Sequence, residues 1–196
     1  MHTLQAALRA LAAVSVLLLI AAAPPEPEGL WTGPMVSDTP ATLQGAKVVD
    51  AEGVKTLMDE RPVLVDSGPA DRKPDNLPAT TLWRPTHRSI PGALWFPGAG
   101  RGDLDPAKAA AMLERIAEVS GGDKARPVVT FCKPRCWGSW NVGKRLVAAG
   151  YTSVYWFPGG LAAWQEKFDT AVVAPQPGWA ADPLAPKPQP TAKIAP

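Results

Sequence analysis

The sequence predicts a single α/β domain with a central, mostly parallel sheet and helices on both faces. Strand-like apolar runs alternate with helical segments between residues 46 and 170, as they do in successive βαβ units. The runs at 61–68 and 126–131 are almost continuously apolar, which is typical of strands buried on both faces. A length of 196 residues with 46% hydrophobic content is sufficient for one such domain with tails.

The individual elements follow from local patterns along the chain. Strand candidates are 46–51, 61–68, 89–98, 126–131 and 153–157, and helix candidates are 51–60, 105–122, 139–150 and 159–168. The clearest helix has Asp105 as its N-cap, Pro106 in its first turn and Gly121 at its end. Residues 68–89 form a long proline-rich connection, which predicts a mobile segment or a lid.

Residues 1–23 predict a signal peptide. Arg9 precedes an apolar run that ends in small residues, and the run is shorter than the roughly 20 residues of a membrane span. We therefore expect export to the periplasm, with cleavage at Ala21 or Ala22. An uncleaved N-terminal anchor is the alternative.

Two segments rich in proline flank the predicted domain, which spans 46–170. Residues 24–45 predict an extended arm that Trp31 pins to the body, and residues 171–196 predict an extended tail. Neither composition predicts a core of its own.

The charge balance excludes two classes of partner. The formal net charge is +2, and loss of the signal peptide removes one of 20 basic residues against 18 acidic ones, which leaves +1. No basic stripe is present in the sequence. We therefore expect neither a nucleic-acid partner nor a membrane surface once the signal peptide is removed.

The two cysteines of the chain lie together in VVTFCKPRCWGSWN, residues 128–141. Cys132 follows a predicted buried strand, and a predicted helix begins shortly after Cys136. In open parallel sheets, ligands bind where the carboxyl ends of strands meet the N-termini of helices. This loop is therefore the candidate functional site.

A reactive thiol is the interpretation that the loop favours. We expect the helix N-terminus, Lys133 and Arg135 to lower the pKa of Cys132, so that it acts as a nucleophilic thiolate. The same positive potential would bind an anionic sulfur species or a persulfide. Cys136 is then the resolving thiol.

The start of the following helix supplies the rest of the predicted anion-binding loop, which is Trp137, Gly138 and Ser139. Ser139 is predicted to cap the helix, with its N–H facing the bound anion. Trp137 is either a lid over the thiol or a packing residue.

Four further polar residues are candidates for a supporting role. Asp66 ends a strand, and we expect it to bond loop backbone, with a role as base as the alternative. His87 and Arg88 lie in the long connection, where His87 either packs or exchanges a proton with Cys132. Asn141 is expected to satisfy backbone groups near the loop.

Two other interpretations of the cysteine pair stay open. A structural disulfide between Cys132 and Cys136 would close only five residues and stabilise by roughly 2 kcal/mol, against nearly 5 for a loop of about 100 residues. Copper(I) accepts two thiolates and could add His87. One of the two histidines lies in the predicted signal peptide, so the remaining two thiols and one imidazole are too few for a four-ligand zinc site, and we predict no metal.

The segment from residue 126 to 168 resembles the second half of a rhodanese domain. The resemblance rests on the strand that delivers Cys132, the helix after it, and the later GYTSV and GGLAAW motifs. Upstream, PVLVDSG and HRSIPGALWFP resemble the family's aspartate-ending strand and its I-P-G-A segment. The resemblance covers residues 46–170 and implies a rhodanese-like fold with Cys132 as the sulfur-carrying cysteine.

A narrower resemblance is to the PQQ-dependent catabolism-associated CXXCW-motif proteins. It is carried by CKPRCW, GLWTGP and RSIPGALWFPG. The resemblance implies an exported protein associated with PQQ-dependent alcohol dehydrogenases and their cytochrome c partners, without a covalently bound cofactor. It implies a pathway and not a reaction.

The loop departs from the usual rhodanese pattern at two positions. Rhodanese loops commonly have glycine at the third position after the cysteine and arginine at the fifth, where this chain has Arg135 and Trp137. These departures favour dithiol redox or persulfide chemistry, with a small sulfur anion or a partner-protein disulfide as substrate, over thiosulfate:cyanide sulfurtransfer. The alternative is a non-catalytic accessory protein that binds a dehydrogenase, a cytochrome or the quinone cofactor through its tryptophan-rich surface and proline-rich arms. Periplasmic copper binding is the third hypothesis.

Overall fold

The structure is a computed structural model that describes residues 23–71, 73–78, 80–82 and 86–179. The predicted signal peptide, except for its last residue, and the chain after Trp179 lie outside the described residues. No helix within the described ranges is long and apolar enough to cross a membrane.

Five strands form one sheet in which every neighbouring pair is parallel, and this confirms the predicted fold class. The spatial order of the strands is β1 (Ala46–Val48), β6 (Val154–Phe157), β5 (Val128–Phe131), β2 (Val63–Asp66) and β4 (Leu94–Trp95). Two further strands, β3 (His87–Ser89) and β7 (Ala171–Val173), form a separate antiparallel pair. The central position of β5 places its carboxyl end in the middle of one edge of the sheet.

Four α-helices connect the strands, and their bounds are Ala51–Leu57 for α1, Pro106–Ser120 for α2, Trp137–Ala148 for α3 and Gly160–Gln165 for α4. The predicted caps of α2 are present. Asp105 accepts hydrogen bonds from two backbone N–H groups of the first turn, and Gly121 ends the helix with a φ of 70°. A 3₁₀ turn, Met58–Glu60, extends α1.

The sheet has a hydrophobic cluster on each face, which is why β2 and β5 are almost continuously apolar. Val65 and Val128 face the cluster that includes Met112 of α2 and Leu146 of α3. On the other face, Leu64, Val129 and Phe131 pack with residues of α1 and α4, among them Val54 and Trp164. Successive side chains of a strand point to opposite faces, so both clusters draw on the same strands.

The prediction that an extended tail begins at residue 171 is wrong for residues 171–179. Strand β7 pairs with β3, and Trp179 is buried with its ring edge-on to Phe96 at 5.3 Å between centroids. The predicted long connection likewise contains β3. A proline-rich composition therefore did not prevent either segment from packing on the domain.

The N-terminus of α3 lies in close contact with the segment that follows β4. A Cβ added at Gly100 would lie 2.1 Å from Cα of Gly138. Only glycine at position 100 permits this approach, because the atom in the way belongs to helix backbone. The contact fixes the start of α3 against the rest of the domain.

Replacing Gly100 with alanine should destabilise the fold by about 1–3 kcal/mol or more, because the new methyl group must displace backbone. Urea denaturation followed by tryptophan fluorescence measures this difference. Gly29→Ala is the matched control, since a Cβ at Gly29 meets no atom within 4 Å. We expect the control to change stability by less than about 0.5 kcal/mol. Equal stability of the two variants would contradict the close approach.

Candidate functional site

The cysteine loop begins where the central strand β5 ends. Cys132 directly follows Phe131, and its carbonyl accepts a hydrogen bond of 2.7 Å from the N–H of Leu161 in α4. Cys136 directly precedes α3. Both cysteines are free thiols and both are buried, with 2% of Cys132 and 7% of Cys136 exposed. The loop therefore brings two thiols to the start of a helix beneath the protein surface.

Cys136 is the N-cap residue of α3. Its Sγ accepts a hydrogen bond of 3.4 Å from the backbone N–H of Gly138. The predicted cap, Ser139, instead donates to the carbonyl of Cys136 at 3.5 Å and accepts from Nε1 of Trp156 at 3.1 Å. The prediction that Ser139 caps the helix is wrong, because the helix begins two residues before it.

A hydrogen bond from the Cys132 thiol to the Cys136 thiolate is the electrostatic interaction that acts most strongly on both pKa values. This hydrogen bond is the main reason that the pKa of Cys136 falls to about 6. The N–H groups of Gly138, Lys133 and Ser139 lower the pKa further, against the opposing effect of burial. At neutral pH, Cys136 is therefore the ionised member of the pair.

Cys132 has the opposite shift. Its pKa is raised by the hydrogen bond that it gives to Cys136, by burial, and by the negative charges of Cys136 and Asp66. The directions of the two shifts favour Cys136, whose Sγ also accepts from the N–H of Gly138, as the ionised thiol in place of the expected Cys132. The order of the two thiols along the chain does not reveal this.

The cationic side chains of the loop do not surround the sulfurs. The Lys133 side chain is exposed, and Arg135 forms an exposed ion pair of 2.9 Å with Asp38. The role of these two charges in holding an anion stays a prediction. Backbone N–H groups, including that of Lys133, stabilise the thiolate.

Arg135 gives the loop its turn. Its φ of 56° is in the left-handed region, which glycine adopts without strain. This is also the position at which the rhodanese resemblance expects glycine. The loop therefore keeps the backbone conformation of a glycine with an arginine in its place.

The predicted N-terminal arm lies over the loop. The indole of Trp31 stacks on Trp137 with 4.2 Å between centroids and 12° between planes. Asn141 accepts from the N–H of Trp31 and donates to its carbonyl, both at 2.8 Å, and donates also to the carbonyl of Gly100. These contacts confirm that Trp31 pins the arm and that Asn141 satisfies backbone groups.

Trp137 is buried between the arm and the domain. Only 1% of it is exposed, and its Nε1 donates to Oγ of Ser37 at 2.9 Å. Its ring also lies edge-on to Trp140. Of the two predicted roles, the structure assigns it packing, and the covering segment is the arm.

Asp66 is the centre of a second polar group at the end of β2. It is buried, and its Oδ1 accepts from the N–H of Gly68 at 2.7 Å, as predicted. Its Oδ2 accepts from Oγ of Ser89 at 2.6 Å and lies 2.7 Å from Nε2 of His87. His87 also stacks on Trp95 with 3.9 Å between centroids. The histidine is thus directed to Asp66.

Arg88 does not reach the cysteine loop. Its guanidinium donates to Oγ1 and to the carbonyl oxygen of Thr170, at 2.8 and 2.6 Å. Alternation along β3 places Arg88 on the side opposite to His87 and Ser89. Arg88 therefore supports the pairing of β3 with β7 and not the candidate site.

The sequence did not identify Ser67, which is buried beside the loop. Its N–H donates to the carbonyl of Phe131 at 3.1 Å. A Cβ added at Gly138 would lie 3.2 Å from both Oγ of Ser67 and Sγ of Cys136, so the hydroxyl and the sulfur are near neighbours. The only available signal was its position directly after the predicted end of β2.

The structure bears on parts of two alternatives to a reactive thiol. Among the described residues, no group of three or more histidine, cysteine, aspartate or glutamate side chains is arranged to hold a metal ion. The accessory hypothesis relies on the proline-rich arms and on a tryptophan-rich surface, and the structure bears on the second of these. This expectation is wrong within the described ranges, where every tryptophan except the half-buried Trp31 is buried.

A parallel α/β sheet whose central strand ends in a cysteine loop before a helix is the architecture of a rhodanese-like domain. The chain belongs to the rhodanese-like domain family, which it matches over residues 50–167, more than half of its length. No curated protein matches the chain significantly.

Several solved structures are similar to this chain at low identity. A rhodanese-like domain from Anabaena is 18% identical, with 64% of this chain and 78% of that chain covered and a TM-score of 0.39. The human single-domain sulfurtransferase is 21% identical, with 62% and 97% covered and a TM-score of 0.36. The Escherichia coli 3-mercaptopyruvate sulfotransferase SseA is 20% identical, with 63% and 43% covered and a TM-score of 0.37. These values support no conclusion about mechanism.

The thiolate absorbance of the wild type minus that of Cys136→Ser should titrate with a midpoint of about 6. Cys132→Ala removes the main cause of the lowered pKa, so the midpoint should rise toward the ordinary value of 9.0. Cys132→Ser keeps a hydroxyl donor and should shift the midpoint less. If Cys136→Ser retains the low-pH titration, Cys132 is the ionised thiol and the assignment fails.

Arg135→Gly should be more stable than Arg135→Ala by up to about 1 kcal/mol. Both variants lose the ion pair with Asp38. Only glycine relieves the strain of a left-handed residue, which is about 1–2 kcal/mol. Glycine also increases the conformational entropy of the unfolded chain, which costs about 0.4–1 kcal/mol of stability. Chemical denaturation of the two variants side by side measures the difference. An alanine variant as stable as the glycine variant would show that the turn is not strained.

Proposed function

We propose that this protein exchanges disulfides or sulfane sulfur with a partner through the Cys132–Cys136 dithiol. The observation that carries the proposal is the hydrogen bond from the N–H of Gly138 to Sγ of Cys136 at the start of α3, with the second free thiol, Cys132, in the same loop. The shifted pKa values leave one sulfur ionised near neutral pH and keep the other protonated beside it. A low-pKa nucleophile with an adjacent resolving thiol is the arrangement that exchange chemistry requires.

In the first step, the Cys136 thiolate attacks one sulfur of a partner disulfide. A bond forms between Cys136 and that sulfur, the partner's S–S bond breaks, and the second partner sulfur leaves as a thiolate. The N–H of Gly138, which bonds Sγ of Cys136, holds the nucleophile in place before attack. The product is a mixed disulfide at Cys136.

In the second step, Cys132 gives its proton to the departed thiolate or to solvent and attacks the sulfur of Cys136. The Cys132–Cys136 disulfide forms, the mixed disulfide breaks, and the remaining partner sulfur leaves as a thiolate. Two electrons have passed from the dithiol to the partner. Once Cys136 is consumed, its charge and its acceptor no longer raise the pKa of Cys132, so resolution becomes easier.

A persulfide partner fits the same two thiols. Cys136 attacks the outer sulfur, the partner's S–S bond breaks, and the partner leaves as a thiolate while Cys136 becomes a persulfide. Cys132 can then displace hydrosulfide from Cys136 and close the disulfide. The electron balance is the same as for a disulfide partner.

Thiosulfate is a poorer substrate for this loop than a disulfide or a persulfide. A dianion needs nearby cations, and the Arg135 guanidinium pairs with Asp38 while Lys133 is exposed. The buried charge of Asp66 also acts against a second anion beside Cys132. The proposal therefore favours a substrate without multiple charges at the reacting sulfur.

The cellular setting belongs to the proposal as well. The N-terminal pattern favours export to the periplasm, and the CXXCW resemblance favours work beside PQQ-dependent dehydrogenases and cytochrome c. An oxidising compartment supplies the disulfides that the dithiol would exchange. No step of the proposed chemistry uses PQQ.

Exposure of the single-cysteine variants to glutathione disulfide and to inorganic polysulfide tests the order of the two thiols. Cys132→Ser should accumulate a mixed disulfide at Cys136, because the resolving thiol is missing. Cys136→Ser should react at least about tenfold more slowly than Cys132→Ser, because Cys132 stays protonated. Peptide mapping by mass spectrometry locates the adducts.

The double variant is the control and should remain unmodified. Accumulation on Cys136→Ser instead of Cys132→Ser would reverse the assigned roles. A wild type that stays unmodified by both reagents would exclude exchange chemistry and favour a binding role.

A further inference from the structure

The arm pairs with the cysteine loop through its backbone. The N–H of Ser37 donates to the carbonyl of Arg135, and the N–H of Trp137 donates to the carbonyl of Met35, both at 3.0 Å. These bonds place Val36 opposite Cys136 in an antiparallel bridge. The residue that carries the ionised sulfur therefore lies directly across from one residue of the arm.

The bond pattern defines which kind of pair this is. The two bonds flank Val36 and Cys136, so the two residues form a non-hydrogen-bonded pair, in which Cα atoms lie only about 4.5 Å apart. A disulfide requires Cα atoms roughly 4.4–6.8 Å apart. A cysteine in the place of Val36 would thus have the backbone separation of a disulfide to Cys136.

The arm also closes the site. Both thiols are buried, and residues 35–37 of the arm pair with the backbone on either side of Cys136. A partner disulfide must therefore displace this segment before it reaches Cys136. When the arm leaves, the carbonyl of Arg135 and the N–H of Trp137 lose their partners and need replacements, because unpaired backbone groups are costly.

We propose that the backbone edge of residues 135–137 is the docking site for an extended, cysteine-bearing segment of a partner protein, and that arm residues 31–38 fill it in the free protein. The partner segment replaces both backbone hydrogen bonds, and its cysteine takes the position of Val36 opposite Cys136. Addition of an extended peptide to an exposed edge is a common mode of recognition. This inference rests on the proposed exchange function and names its partner class, a protein disulfide.

Two of the contacts that hold the arm are weak enough for a single substitution to loosen, which would let a partner segment compete with the arm. A stacked pair such as Trp31 and Trp137 contributes an amount equivalent to a few-fold to about tenfold in an equilibrium. The ion pair of Asp38 with Arg135 is exposed and contributes less. Loosening either contact should open the edge without touching the thiols.

The first test compares two probes that differ only in backbone hydrogen bonding. One is a linear peptide with a central cysteine held as a mixed disulfide with thionitrobenzoate, and the other has N-methyl groups on the residues flanking that cysteine. Full-length wild type, Trp31→Ala and Asp38→Asn are assayed with both, and release of thionitrobenzoate is followed by absorbance. Glu52→Gln, which breaks the exposed Lys167–Glu52 pair elsewhere, is the control for Asp38→Asn.

Trp31→Ala should react with the unmodified peptide about tenfold faster than the wild type, and Asp38→Asn should show a smaller gain. The N-methylated peptide should lag behind the unmodified one in each protein. Equal rates for the two peptides would overturn the docking edge while leaving exchange intact. Failure of all proteins to react even with glutathione disulfide would instead overturn the proposed function.

A second measurement does not depend on loosening the arm. Val36→Cys should form a disulfide with Cys136 under mild oxidation, and Met35→Cys, whose side chain alternates to the other side, should not. Non-reducing peptide mapping in the Cys132→Ser background identifies the bond. Crosslinking no greater at position 36 than at position 35 would overturn the assigned register.

Discussion

The candidate site depends on the loop geometry that places Cys132 and Cys136 together at the start of α3. This geometry exists because β5 delivers one cysteine to the middle of the sheet edge and α3 begins at the other. The turn between them requires a left-handed residue, and Arg135 supplies it. Removal of the strand end, the turn or the helix start would separate the sulfurs, and neither thiol would then have its shifted pKa.

Much of this arrangement could be predicted from the sequence. Continuous apolar runs identified β2 and β5, and the position of Cys132 after β5 identified the loop. The identity of the thiolate could not be predicted, because it depends on which sulfur receives N–H groups and which donates. The rules for N-caps rank serine highly and do not anticipate a cysteine. The predicted helix therefore begins at Ser139, two residues after the observed start of α3 at Trp137.

Composition was misleading for the segments that flank the domain. Proline content predicts extension, and extension is correct for the arm, but it does not reveal whether a segment packs. Single large side chains decide that: Trp31 stacks on Trp137, and Trp179 packs against Phe96. A stacked or buried indole holds an extended segment that has no core of its own. The amino-acid composition of the segment does not reveal the effect of a single tryptophan.

The same contacts link the chemistry of the sulfurs to the position of the arm. Disulfide formation shortens the sulfur separation to about 2 Å and removes both the donor at Cys132 and the free acceptor that caps α3. Cys136 also lies opposite Val36 of the arm in the antiparallel bridge. Its neighbours Arg135 and Trp137 form both backbone hydrogen bonds between the loop and the arm. A change in the loop that accommodates the disulfide therefore acts on those two bonds directly. Oxidation of the dithiol should therefore disturb the arm, the segment that pairs with the loop in the reduced protein.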